Sequence, residues 1–345
     1  MTLFDAHLDL AYLVEIGRDM HAGLADCRGA LRPPAVTLPT LAEGSVTQCL
    51  ATVFTQPFDD GDEPADGGAY AFPRGDSDAA YRAGWRQMLL YKSWHEGDAI
   101  DLWKLRPEGE TPLSVGILIE GADPVPSPDE LGNWSDAGVV AVGLTWAHRG
   151  RYADGNSVHL REDRGLTDLG RGMVEAIDGL GLIHDLSHLS QKATEELLER
   201  TDKLVVATHS NCRQLFAPDG EAGKLTKSTQ RHLSDETVAE IGRRGGVVGL
   251  NLCASFLRDG LKRGDRPSID DCIRHVEHLC EVMGHKDGVG LGTDMDGGFD
   301  ARHLPEGIDE PRHVHKIVDV LRSRGWSNAE LDGFRRKNWE RVFGL

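Results

Sequence analysis

The stretch Phe4-Asp5-Ala6-His7-Leu8-Asp9-Leu10 decides how this chain is read. Four of its seven residues are aliphatic or aromatic, so it reads as a buried strand. On a strand, residues two apart point to the same face, which presents His7 and Asp9 together. An imidazole beside a carboxylate suits a Zn2+-like ion, whose nitrogen and oxygen ligands sit at about 2 Å. One pair does not make a site, so the other ligands must come from elsewhere in the chain.

Apolar runs like this one recur at 3–9, 46–54, 114–119, 139–145, 182–186, 204–208, 247–252 and 288–292. Helix-period segments separate them, and such alternation implies a parallel sheet with crossover helices. Eight runs predict a (β/α)8 TIM barrel of the metallo-dependent hydrolase type, one domain over residues 1–345. The helices carry readable starts and stops. Thr167, Ser190, Ser234 and Ser268 are expected N-caps, Ser327-x-x-Glu330 a capping box, and Gly284 a C-terminal stop. In the helix after Thr167 the expected inward positions are Leu169, Met173, Ala176, Ile177 and Leu180. A Gly/Asp/Pro-rich segment near 55–77 reads as a long loop insertion, a lid or a tolerated insertion. Residues 217–229 form a second irregular segment.

Bulk composition narrows the function. The formal net charge is −18 over 345 residues. So acidic a surface repels phosphate backbones and anionic lipid, which excludes nucleic-acid and membrane-surface roles. No run of about 18 apolar residues occurs, and no charged-then-apolar leader opens the chain. The six cysteines lack a C-x-x-C pair and read as buried thiols of a cytoplasmic protein.

In a parallel barrel the reactive groups lie at the carboxyl ends of the strands. There the sequence places His7 and Asp9, Glu120 after Ile117-Leu118-Ile119, His188 in Asp185-Leu186-Ser187-His188, His209 in Thr208-His209-Ser210, and Asp294 in Gly292-Thr293-Asp294-Met295-Asp296-Gly297. A single histidine after a strand is more often a hydrogen-bonded loop residue, and Asp294 and Asp296 alone could be turn residues. Three imidazoles with bridging-capable carboxylates on five strands have the composition of a two-metal hydrolytic site. His184 is two positions deeper than Leu186 and reads as a core or supporting group. Ser187 and Ser210 adjoin expected ligands, but neither stands in a G-x-S-x-G elbow. No phosphate loop occurs.

In order, His7-x-Asp9, Glu120-Gly121, Asp185-Leu186-Ser187-His188, His209-Ser210, Gly292-x-Asp294-x-Asp296-Gly297 and Asn338-x-x-Arg341-Val342-Phe343 resemble the membrane (renal) dipeptidase family, peptidase family M19. The resemblance implies two Zn2+ per chain, one held by His7 and Asp9, the other by His188 and His209, with Glu120 bridging. It implies a bridging hydroxide that attacks the scissile carbonyl of a small dipeptide, with a D-residue allowed at the C-terminal position. Asp294 then handles the proton and neighbours the substrate amine, and Arg231 grips the substrate's terminal carboxylate. A homodimer is also within the family pattern. The chain departs from the animal enzymes after the fourth strand. There a histidine polarises the substrate carbonyl, whereas here Trp146 follows Leu144-Thr145 and the nearest histidine is His148. His148, Asn156 or Arg149 could fill that role, or it is absent. The departure leaves an alternative open, a dinuclear metal amidohydrolase acting on a non-dipeptide amide or lactam. An H-x-H start and a carboxylated lysine, the urease-type pattern, are not found. A barrel that binds without turnover is the third reading.

Overall fold

The computed structural model describes residues 2–59, 61–62, 64, 68–105, 113–217 and 220–345. Eight strands carry the fold: β1 (Leu3–Leu8), β2 (Val46–Phe54), β3 (Ser114–Glu120), β4 (Val139–Gly143), β5 (Ile183–Asp185), β6 (Val205–Val206), β7 (Val248–Leu250) and β8 (Val289–Leu291). Each falls on one of the apolar runs. β3 runs one residue further than the run itself, so Glu120 is its last residue. Helices follow the strands: α1 (Ser77–Glu96), α2 (Asp168–Leu180), α3 (Gln191–Arg200), α4 (Asp235–Arg243), α5 (Ile269–Met283) and α6 (His315–Ser323). This alternation is that of a (β/α)8 barrel. Among the described residues no helix is long and apolar enough to cross a membrane.

The chain packs as two compact units. The first comprises Met1–Leu8, Asp19–Cys49 and Val205–Leu345. In it β8 pairs in parallel with β1, Leu291 opposite Asp5, and with β7 from Val248↔Val289 to Leu250↔Leu291. A parallel bridge between Ala207 and Val248 adds the β6 segment. Trp339 is fully buried in this unit, donates from Nε1 to the Leu291 carbonyl at 2.9 Å, and stacks 6.1 Å from Phe4. The second unit comprises Asp9–Arg18 and Leu50–Leu204. In it β3 pairs in parallel with β4, Glu120 opposite Gly143, and β4 with β5, Gly143 opposite Asp185.

The expected caps form. Thr167, Ser190, Ser234 and Ser268 accept from the amides of Gly170, Ala193, Thr237 and Asp271, and Ser268–Asp271 and Ser327–Glu330 are reciprocal capping boxes. Each such cap stabilises by about 1 kcal/mol. Gly284 ends α5 in the left-handed conformation. The inward face of α2 differs from the expectation. Gly170, Met173, Val174 and Ile177 are buried, while Leu169 and Leu180 are 44% and 43% exposed. A Cβ on Gly170 would lie 1.9 Å from the Tyr152 carbonyl oxygen, so this face seats on a glycine that a hydrophobicity count ignores.

The six cysteines are free, five buried and Cys280 partly so. Burial pushes the Cys253 and Cys280 thiols up, to about 11 and about 12, and raises Cys49, Cys212 and Cys272 as well. In the expected insertion, Gln56–Phe58 and Ala71–Pro73 pair as a short parallel ribbon. Residues 60, 63 and 65–67 of that segment, and 218–219 of the second irregular one, lie outside the described residues.

Candidate metal centre

In the first unit, the carboxyl end of β1 is tied to that of β8. The buried Asp5 carboxylate accepts from the Thr293 amide at 2.8 Å and the Thr293 hydroxyl at 2.5 Å. Burial raises the Asp5 carboxyl, and the Thr293 bonds oppose that rise. Beside it, the rings of His7 and His209 stack with centroids 3.5 Å apart. Thr208 Oγ1 lies 3.3 Å from His7 Nδ1 and 3.0 Å from His209 Nδ1. A hydroxyl oxygen has two lone pairs, so Thr208 can accept from both Nδ1–H groups. That tautomer leaves each Nε2 as a metal-type donor. The strands meet closely here. A Cβ on Gly249 or Gly292 would lie 1.9 or 1.7 Å from the Thr208 carbonyl oxygen, so only glycine fits at either position.

Asp294 follows β8 with φ 58°, in the left-handed region where aspartate is among the tolerated residues. Its amide donates to the His7 carbonyl at 3.3 Å, and its Oδ2 accepts from Asn251 Nδ2 at 2.8 Å. Arg231 is buried. Nη1 donates to Ser210 Oγ at 2.9 Å, Nη2 to the His209 carbonyl at 2.8 Å, and the guanidinium lies 5.0 Å from the Phe256 ring centre.

In the second unit, Asp9 follows β1 and accepts from the Thr52 hydroxyl of β2. Glu120 Oε1 lies 3.0 Å from His188 Nε2. His188 has φ 66°, and its Nδ1 is 3.2 Å from Asn156 Oδ1. An amide oxygen only accepts, so Nδ1 carries the hydrogen and Nε2 turns its lone pair to the carboxylate. Two electron-rich atoms at this distance call for a cation or a proton between them. This donor set therefore fits a metal ion, with Asn156 holding the ligand histidine from behind as such partners do.

Trp146 stands next to His188, ring centres 5.9 Å apart, and also 5.2 Å from both Phe54 and His148. Asp59 forms an ion pair with Arg74, which holds its carboxyl below the usual range. Arg149 forms a two-pronged pair with Asp154, and Asn156 serves His188, so both already have structural partners. His184 is fully buried and paired at 2.7 Å with Asp178 of α2, a place in the core rather than among the expected ligands.

The expected site residues thus divide by unit, His7, His209, Arg231 and Asp294 in the first, Asp9, Glu120, Trp146, His148 and His188 in the second. Among the described residues His7, Asp9, Glu120, His209 and Asp294 are candidate metal-binding groups. Thr208, Asn251 and Thr52 escaped the sequence reading, and Asn156, weighed there as a donor to the substrate carbonyl, instead meets His188. Asn251 directly follows β7, so the strand-end rule alone would have flagged it.

The description "Membrane dipeptidase (Peptidase family M19)" belongs to a family model that matches residues 1–345. An uncharacterized protein of the pqqA 5′ region of Klebsiella pneumoniae is 31% identical over 211 residues, 60% of this chain and 72% of that protein. An uncharacterized dipeptidase of Schizosaccharomyces pombe is 30% identical over 183 residues, 52% of this chain but only 40% of its own length. A metallo peptidase from Rhodobacter sphaeroides, solved with a phosphinate mimic of the dipeptide L-Ala-D-Ala, superposes with TM-score 0.78 at 21% identity, covering 100% of this chain and 99% of its own. The fold is therefore shared with solved metallopeptidases. The chain belongs to the membrane dipeptidase family, peptidase family M19, and is a metallo-dipeptidase-type hydrolase, membership that implies a metal cofactor.

Proposed function

We propose that this member of the M19 family hydrolyses the peptide bond of small dipeptides with two Zn2+ ions. His7 and Asp9 would hold one, His188 and His209 the other, and Glu120 both. The observation that carries the reading is the 3.0 Å approach of Glu120 Oε1 to a ring nitrogen whose opposite side is already fixed by Asn156. The His7–His209 pair supports it, because Thr208 can hold both Nδ1–H groups, so that each Nε2 can serve as a metal ligand. Bound there, the ions would supply Lewis acidity toward the scissile carbonyl and acidify the attacking water.

The chain's own residues do the rest. Arg231 is held by Ser210 and the His209 carbonyl, and a guanidinium binds a carboxylate in two-pronged fashion, so it would fix the substrate's terminal carboxylate. Asp294 would take and return the proton, its carboxylate held through Oδ2 by Asn251. The Rhodobacter neighbour's dipeptide mimic supports substrates with a C-terminal D-residue. The free cysteines support a reducing, cytoplasmic setting.

Zinc-loaded protein assayed against a panel of L,L- and L,D-dipeptides should turn over at least one class. Two bound metals with no turnover of any member would overturn the reading. A second reading, hydrolysis of a non-dipeptide amide or lactam, rests on Trp146 beside His188. Faster hydrolysis of cyclic amides than of every dipeptide would favour it.

A further inference from the structure

We propose that the buried pair Asn211–Asn251 is a positioning unit that sets both Asp294 and Arg231. The proposal rests on the dipeptidase reading for its kinetics, though not for its geometry. Both side chains are almost wholly buried, at 1% and 0% exposure. They bind each other reciprocally, the Asn251 amide donating to Asn211 Oδ1 at 3.1 Å and Asn211 Nδ2 to the Asn251 carbonyl at 3.0 Å. This joins the segment after β6, which carries His209, to the end of β7.

The remaining groups of the pair reach outward. Asn251 Nδ2 donates to Asp294 Oδ2 at 2.8 Å and to the His209 carbonyl at 3.3 Å, and Asn251 Oδ1 accepts from the Cys253 amide at 2.7 Å. Asn211 Nδ2 also donates to the Phe256 carbonyl at 2.7 Å. Each side-chain amide offers two hydrogens and one oxygen, and all are used. A buried polar network that is fully satisfied is rigid.

Two consequences follow from the chemistry of the amide. An amide N–H only donates, so it fixes Asp294 Oδ2 as an acceptor and sets the orientation of the carboxylate. The other arm fixes Phe256, whose ring lies under the Arg231 guanidinium at 5.0 Å. The proton-handling group and the carboxylate grip are keyed to one pair. Neither asparagine touches substrate; they act through Asp294 and Arg231.

The two arms predict different kinetic signatures. Asn251→Ala, with isosteric Asn251→Asp as the second variant should the first fail to fold, loses the donor to Asp294. Supporting partners of catalytic groups typically contribute about 10–100-fold, so kcat should fall by about that factor with KM little changed. Asn211→Asp keeps the acceptor for the Asn251 amide and loses both Nδ2 donations, to the Phe256 and Asn251 carbonyls, while Asn251 still reaches Asp294, so KM should rise about tenfold with a smaller fall in kcat. Zinc per chain should stay near wild type in Asn251→Asp and Asn211→Asp, while Tm falls modestly because each turns a buried carboxylate oxygen toward acceptors. A crystal structure of zinc-loaded Asn251→Asp should show the Asp294 carboxylate rotated. Wild-type kcat in both Asn251 variants, an unmoved Asp294 carboxylate, or equal losses in kcat and KM that track lost zinc or Tm would overturn the proposal. A wild-type protein that cleaves no dipeptide would overturn the dipeptidase reading instead, and leave the crystallographic arm to decide this one.

Discussion

Glu120 Oε1 faces His188 Nε2 at 3.0 Å while His188 Nδ1 faces Asn156 Oδ1 at 3.2 Å, so one imidazole is held between a carboxylate and an amide oxygen. Glu120→Gln keeps the shape and removes the charge. We expect metal analysis to show fewer than two zinc ions per chain. We expect kcat/KM to fall by on the order of 10²–10³, the scale of deleting a principal electrostatic group. Full zinc loading and wild-type turnover in Glu120→Gln would contradict the proposed bridging role.

Arg231→Lys replaces a planar fork with a point charge. Hydrogen bonds to charged groups contribute about 1.5–3 kcal/mol, so KM for dipeptides should rise roughly 10–100-fold. Dipeptide amides, which lack the terminal carboxylate, should show no such difference between wild type and variant. Steady-state kinetics on matched acid and amide substrates checks this.

His275 predicts a pH dependence of stability. It accepts from the Cys212 amide at Nδ1, 3.2 Å, and faces the Leu257 carbonyl with Nε2 at 3.1 Å, so its neutral form is fully bonded. Burial, only partly opposed by the Leu257 carbonyl, lowers its pKa from 6.5 to about 4. The folded value lies below the unfolded one for a base. Its contribution is therefore full above pH 6.5 and fades as pH falls toward 4, by roughly 3 kcal/mol at most. Thermal unfolding between pH 7 and pH 4 should show a smaller decline in His275→Gln than in wild type.

Gly292→Ala places a Cβ 1.7 Å from the Thr208 carbonyl oxygen. The β6 end must move, and His209 with it. Overpacking of this kind costs about 1–3 kcal/mol. Urea unfolding should show that loss, together with weaker zinc retention against a chelator.

Much of this was legible in the chain because strand ends, caps and charged ligands announce themselves locally. His7, Asp9, Glu120, His188, His209 and Asp294 stand out since a buried charge or imidazole after aliphatics demands a partner. Thr208 and Asn251 did not, and Asn156 stood out only for a different role. Amides and hydroxyls are common in loops, and nothing in sequence marks which ones meet a ligand 32 or 201 residues away. The misjudged face of α2 has a similar origin. Its stripe turns on Gly170, whose missing side chain lets the helix settle on Tyr152. The exchange of histidine for tryptophan at position 146 was readable. Its neighbours, Phe54, His148 and His188, emerged only in three dimensions.

The sequestered thiols turn the protein into its own opening gauge. With sulfur atoms buried and their ionisation suppressed, Cys212 and Cys272 can meet a maleimide near neutral pH only when the surrounding structure parts. Labelling speed, followed by mass spectrometry, then counts transient exposure events. It should slow when zinc is added, because any ion bound only by the closed form drains the open population.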